Sequence, residues 1–254
     1  LTDVVQIARE QDKAIAAVTA ADPDEVLGIN SRADLALAEA AFQKRMRLQM
    51  LDAGVTLRDP ATTYFSYDTQ IAGDADIGAS CVFGPGVTVA RDVVIHPFCH
   101  IEGASLDAGA QIGPFARLRA GTVMGENSKA GNFVETKKAI IGAGSKINHL
   151  SYIGDAVLGQ GVNVGAGTIT CNYDGYDKHV TTVQDGAFIG SNSSLVAPLT
   201  IGKGAYLGSG GVVTQNVPDD ALALGRAPQV NKLGWAERYR AMKAKVNSKI
   251  KHKS

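Results

Sequence analysis

From Ile71 to Val89 the sequence reads IAGDADIGASCVFGPGVTV. Its large apolar residues, Ile71, Ile77, Phe83 and Val89, are six apart each time. A helix returns to one face every 3.6 residues and a strand every two, so neither produces a period of six. The period continues through Ile95, Ile101, Leu106, Ile112, Leu118, Met124, Ala130, Thr136, Ile141, Ile147, Ile153, Leu158, Val164, Thr170, Val183, Ile189, Leu195, Ile201 and Leu207 to Val213. Nineteen of the 23 intervals are six and three are five. The remaining one, Thr170 to Val183, is thirteen, so it marks an excursion from a register that then resumes.

A chain that turns a corner every six residues explains this pattern. Each hexad is a short strand plus a turn, and three hexads close one triangular coil. The aliphatic residue points inward. The position four later is Ala, Ser, Cys, Thr or Val in 20 of 24 hexads, small enough to pack beside it. The position after the aliphatic is Gly in 12 of 24, which suits the corner. The expected fold is therefore an all-β solenoid, a parallel β-helix of about eight coils with ladder spacing ~4.8 Å.

Composition agrees. Glycine is about one residue in nine of 254, while Phe, Tyr and Trp together make only 6%. A narrow prism admits few rings. Lys plus Arg equals Asp plus Glu, which argues against a general nucleic-acid or membrane-surface binder. No run of ~18 apolar residues or signal-peptide core is present. Three cysteines without a CxxC argue against a disulfide framework and fit a cytoplasmic setting. Cys81 and Cys99, 18 apart at the small inward position, read as core residues of adjacent coils.

The flanks read differently. Residues 1–20 and 31–53 are predicted helices, with a turn at 21–24. The second opens with a capping box, Ser31-x-x-Asp34, and ends at Gly54. A tail helix carries Trp235, Tyr239, Met242, Val246 and Ile250 along one face. From Arg226 onward the net charge is +8, consistent either with a solvated helix or with a basic rim near an anionic ligand. The missing initiator Met reads as the cut edge of a larger protein.

Folding the hexads onto three faces groups the polar residues. Arg119 and Lys137 stack on adjacent coils at one edge, which Glu135 and Tyr152 share. The excursion, carrying Asn172, Tyr173 and Lys178, leaves from that edge. His149, Ala166, Ser191 and Ser209 form a column along one face. A narrow thioester arm fits such a column, about 14 Å long at ~4.8 Å per coil. Asn163 lies on another edge, where a neighbouring subunit of a cyclic trimer would present it.

The segments GPFARLRAG (113–121), GNFVETKKA (131–139), GSKINHLSYIGDA (144–156), GAGTITCNYDGYDK (165–178) and LGRAPQ (224–229) carry a resemblance. Together they resemble the C-terminal part of the bacterial bifunctional N-acetylglucosamine-1-phosphate uridyltransferase/glucosamine-1-phosphate acetyltransferase family, over nearly the whole chain. The resemblance implies a left-handed β-helix, a homotrimer with sites between subunits, and acetyl transfer from acetyl-CoA to the amine of glucosamine 1-phosphate. His149 matches the base, with Glu135 near it to orient the ring. Arg119, Lys137, Tyr152, Asn163 and Lys178 match substrate-binding positions. Ala166, Asn172, Tyr173, Ser191, Ser209 and Arg226 match acetyl-CoA positions; some relatives have Ala at the Ser209 position. The Tyr173 backbone N–H is expected to help stabilise the oxyanion.

The domains implied are 1–30, a remnant of the uridyltransferase half; 31–57, a linker helix; 58–218, the β-helix; and 219–254, a loop and basic helix. The family's glycine-rich nucleotide loop has no counterpart here, so no uridyltransferase activity is expected. Magnesium belongs to that half alone, with Asn30 the matching ligand. Two alternatives stand beside this reading: a hexapeptide acyltransferase with another acceptor, and a non-catalytic trimerisation scaffold.

Overall fold

The structure is a computed structural model that describes residues 3–251, with side chains to residue 244. All 24 inward positions of the hexad series are buried, from Ile71 to Val213. The small partners, among them Ala75, Cys81, Cys99, Ala116, Ser145 and Ala205, are buried beside them. At ~1.5–3 kcal/mol for each fully buried aliphatic side chain, this single column supplies most of the apolar drive for folding.

One face is a parallel sheet whose ten strands run from Thr56–Leu57 to Leu222–Ala223. The other two faces merge into a second sheet. The strands Glu135–Ile141 and Tyr152–Leu158 pass the corner between those faces without a break. The solenoid makes about nine turns, one more than the hexads alone predict. The extra layers are Thr56–Leu57 at one end and Leu222–Ala223 at the other. The chain next to them leaves the period of six, with a 3-10 turn at Pro60–Thr62 and a loop after Val217.

Left-handed corners are stacked as regularly as the interior. Phe98, Phe115, Phe133 and Leu150 have φ of 63°, 56°, 55° and 52°. Gly167, Asn192 and Gly210 continue the same corner on later coils, with φ of 74°, 54° and 74°. Only three of these seven corner positions meet the φ > 0 requirement with Gly or Asn. At the others the ladder bonds of neighbouring coils hold a costly conformation in place.

Helix α2 (Arg32–Asp52) closes the first end of the prism. Its capping box is formed: Asp34 N–H donates to Ser31 Oγ (3.1 Å) and Ser31 N–H to Asp34 Oδ2 (2.9 Å). A bond from Asn30 N–H, then the Ser31 side chain and N–H, hold the Asp34 carboxyl below its usual range. Its inner face buries Met46 and Met50. Buried Gln43 pairs with the Phe65 backbone through both its oxygen (2.9 Å) and its nitrogen (2.7 Å). Helix α1 is shorter than the sequence suggests, Asp3–Glu10 instead of 1–20. It buries no residue, and an isolated helix of that length has little to sustain it. The chain turns at Asp12, whose φ is 51°.

Helix α3 (Trp235–Lys251) is the last described element. Trp235 and Tyr239 stack on each other at 5.0 Å, and with Met242 they are exposed. The stripe is thus uncovered by this chain as far as Met242. The side chains of Val246 and Ile250 lie outside the described residues. All three cysteines are free, and Cys81 and Cys99 are buried core residues. No described helix is long and apolar enough to cross a membrane.

Candidate active site

The column predicted from hexad phase exists, and the backbone builds it. Gly167 N–H donates to His149 O (3.3 Å), Asn192 N–H to Ala166 O (2.8 Å) and Gly210 N–H to Ser191 O (2.8 Å). His149, Ala166, Ser191 and Ser209 therefore follow one another on successive coils, each just before the left-handed corner. Close stacking needs glycine here: a Cβ at Gly165 or Gly190 would press into the backbone of Ser191 or Ser209. His149, Ser191 and Ser209 are exposed, and Ala166 is half-buried. Arg226 follows beyond Ser209, with its stem beside Gly210.

Across the corner lies the polar edge. Glu135 pairs in register with Tyr152, and Lys137 with Gly154. Arg119 Nη1 donates to Glu135 Oε1 at 3.0 Å, with both side chains about one-third exposed. Lys178 lies against Lys137 and lowers its pKa, first through direct side-chain contact and then through like charge. Arg119 adds to that effect, while Asp155 opposes it. Three cations, Arg119, Lys137 and Lys178, thus converge with the carboxylates Glu135 and Asp155 beside them, and cations so placed suit a phosphate. The Tyr152 ring lies over Gly154, where a Cβ would collide with its hydroxyl and ring.

Interior threonines brace this edge where the aliphatic series is interrupted. Thr136 and Thr122 share a hydrogen bond of 3.0 Å, and Thr122 Oγ1 donates to Arg119 O (2.7 Å). Thr170 Oγ1 accepts from Gly154 N–H at 2.7 Å.

The excursion is a tight loop over the same edge. Buried Asn172 donates through Nδ2 to Asp155 Oδ2 at 2.5 Å. His179 N–H donates to Asn172 O (2.9 Å) and Asp174 N–H to Asp177 O (3.2 Å). Tyr173 and Lys178 face each other between those bonds. The N–H groups of Tyr176 and Asp177, and His179 Nε2 at 2.8 Å, all converge on the Asp174 carboxylate. They hold its pKa far below the ordinary carboxylate range. Lys178 is thereby presented from a pinned loop.

One sequence expectation needs revision. Glu135 is bonded to Arg119, whereas His149 Nδ1 meets Asn132 Oδ1 at 2.5 Å. The ring's partner in this chain is therefore an amide one coil away, not the expected carboxylate. Asn163 sits on the ten-stranded face between Lys146 and Phe188, apart from the loop and the cationic edge. Asn30 is exposed, and its N–H donates to Asp34 Oδ2 (3.0 Å). Among the described residues no three His, Cys, Asp or Glu side chains cluster as a metal site. Asn132 and Asp155 escaped the sequence reading. The signal for Asn132 was available: it lies 17 residues before His149, one coil away.

No family model matches the chain. It is 53% identical over 249 residues to the bifunctional protein GlmU of Paramagnetospirillum magneticum, covering 98% of this chain and 55% of that protein. It is 58% identical over 245 residues to the bifunctional protein GlmU of Azorhizobium caulinodans, covering 96% of this chain and 54% of that protein. The chain spans about half the length of the curated relatives it matches. Among solved structures, LpxA from Acinetobacter baumannii superposes with a TM-score of 0.57 at 16% identity, covering 74% of this chain and 77% of that one. That likeness concerns the fold and assigns the solenoid to the left-handed β-helices. With more than half of aligned residues identical over nearly its whole length, the chain belongs to the GlmU family as its C-terminal part.

Proposed function

We propose that the chain transfers the acetyl group of acetyl-CoA to the amine of glucosamine 1-phosphate, giving N-acetylglucosamine 1-phosphate for UDP-N-acetylglucosamine synthesis. The observation that carries this reading is the column His149, Ala166, Ser191, Ser209, which ends beside a three-cation edge. An extended thioester fits along the column, and a sugar phosphate fits at the edge.

The chemistry follows from these positions. A sugar amine is mostly ammonium at neutral pH, and only the free amine attacks a thioester. Nε2 of His149 takes the proton as the amine nitrogen bonds to the acetyl carbon. The carbonyl oxygen becomes an oxyanion, and Tyr173 N–H, outside the loop's own ladder bonds, is placed to donate to it. The C–S bond then breaks, and the imidazolium returns its proton to the departing thiolate. Arg119, Lys137 and Lys178 hold the phosphate, and Glu135 holds Arg119 in place. Tyr152 lines the sugar pocket. Arg226 reaches the CoA phosphates. Asn163 and Asn172 act from the neighbouring subunit and the loop, in a cyclic trimer working in the cytoplasm.

Thiol release from acetyl-CoA should be followed with glucosamine 1-phosphate, glucosamine, a serine-containing peptide and a hydroxylated sugar nucleotide. The proposal predicts turnover with glucosamine 1-phosphate far above the others. Preference for a hydroxyl acceptor or for an amine without phosphate would replace the substrate assignment. No release with any acceptor from an intact oligomer would favour the scaffold reading.

A further inference from the structure

We propose that Asn132 is a positioning residue for His149: its side-chain oxygen accepts the Nδ1 proton, fixes the tautomer and leaves Nε2 as the basic nitrogen. The inference rests on the reading of His149 as the base.

The pair is a product of coil geometry. Asn132 and His149 are register partners on adjacent strands, and Leu150 N–H donates to Asn132 O (3.0 Å). The corners that follow, Phe133 and Leu150, share nearly the same φ. Gly131 brings the strands close one residue earlier, since a Cβ there would run into the Asn148 backbone. Both side chains therefore leave the face in parallel, and Oδ1 meets Nδ1 at 2.5 Å. The same corner position is Pro114 on the coil before and Ala166 on the coil after. Neither side chain can bond a ring nitrogen, so on the coils adjacent in this column Asn132 supplies the acceptor for His149.

An amide in this role has a chemical consequence. It accepts from Nδ1–H whether or not Nε2 carries a proton, so the ring keeps its orientation throughout the transfer. It adds no charge. A carboxylate within ~4–6 Å would raise an imidazole pKa by about 1–3 units and keep the base protonated at neutral pH. The nearby carboxylate, Glu135, is already engaged by Arg119. Other charged or titratable groups on the elements around the pair are Lys129 and Lys146 on the paired strands, and Arg119, Lys137, Tyr152, Asp155 and Lys178 across the corner.

Two variants and two readouts test this. Asn132→Leu removes the acceptor, and Asn132→Asp restores it with a charge. With acetyl-CoA and glucosamine 1-phosphate, Asn132→Leu should lower kcat by about tenfold or more while each KM stays within about threefold. Asn132→Asp should recover kcat on the alkaline plateau but move the acidic limb of its pH profile up by about one unit. Nitrogen-15 shifts of labelled histidine, assigned with His149→Gln, should report an Nδ1–H tautomer in the wild type that is lost in Asn132→Leu. An unchanged kcat and pH profile in both variants, or a wild-type Nε2–H tautomer, would overturn the proposal. If the tautomer responds as predicted but the wild type acetylates no amine, the pairing stands and the reading of the reaction falls.

Discussion

The coils from Ile71 to Met124 and those from Ala130 to Val183 share one period but differ inside. In the first group every inward residue is Ile, Val, Leu, Met or Phe. In the second, Ala130, Thr136 and Thr170 replace aliphatics, and the thirteen-residue excursion leaves the prism. Those departures surround the candidate site. Thr136 is linked to the Arg119 backbone through Thr122, and Thr170 holds Gly154 N–H beneath Tyr152. Rule-breaking inside the repeat thus marks where positioning has replaced simple burial.

Substitutions that separate stability from chemistry sharpen this contrast. In the regular coils, Ile112 is fully buried, and Ile112→Ala should cost about 2–5 kcal/mol in denaturant unfolding. Activity per folded chain should be retained; a selective loss of kcat would break the division. In the site coils, Gly154→Ala should displace the Tyr152 side chain and raise the KM for glucosamine 1-phosphate by about tenfold, roughly 1.4 kcal/mol. Gly144→Ala is its control: φ is +69° but the space is open, so the cost should fall on stability, about 1–2 kcal/mol, and not on KM. Smallest should be Thr136→Val, which removes one shared interior hydrogen bond and should cost about 1 kcal/mol. It should also loosen Arg119, so a KM rise for the phosphate substrate exceeding the stability change would confirm the bracing role.

The like-charged pair gives a pH expectation. Lys178 lowers the Lys137 pKa, and an anion between them opposes that shift. Phosphate binding should therefore take up protons at alkaline pH, and the KM for the sugar phosphate should rise with pH earlier than a lone lysine would dictate. Calorimetry in two buffers of different ionisation enthalpy checks the sign; proton release on binding would contradict it.

Much of this was legible in the sequence because a β-helix is nearly one-dimensional. Hexad phase alone placed the His149–Ser209 column and the Arg119–Lys137 edge, since stacking follows from counting residues. Counting failed where the period ended. Leu57 and Ala223 add layers that lie outside the series, and α1 stops at Glu10 because nothing packs against it. It also failed on pairings within the site. Phase placed Glu135 near His149, but Arg119 holds that carboxylate and Asn132 takes the ring. Competition between neighbouring side chains depends on direction and distance, which the period does not encode.

The central claim is that His149 is the base of an acetyltransferase. Thiol release from acetyl-CoA with glucosamine 1-phosphate should be compared between the wild type and His149→Ala, with the oligomeric mass of each measured alongside. The account predicts a fall in turnover of at least ~100-fold with the oligomer intact. Near-normal turnover in His149→Ala would contradict it.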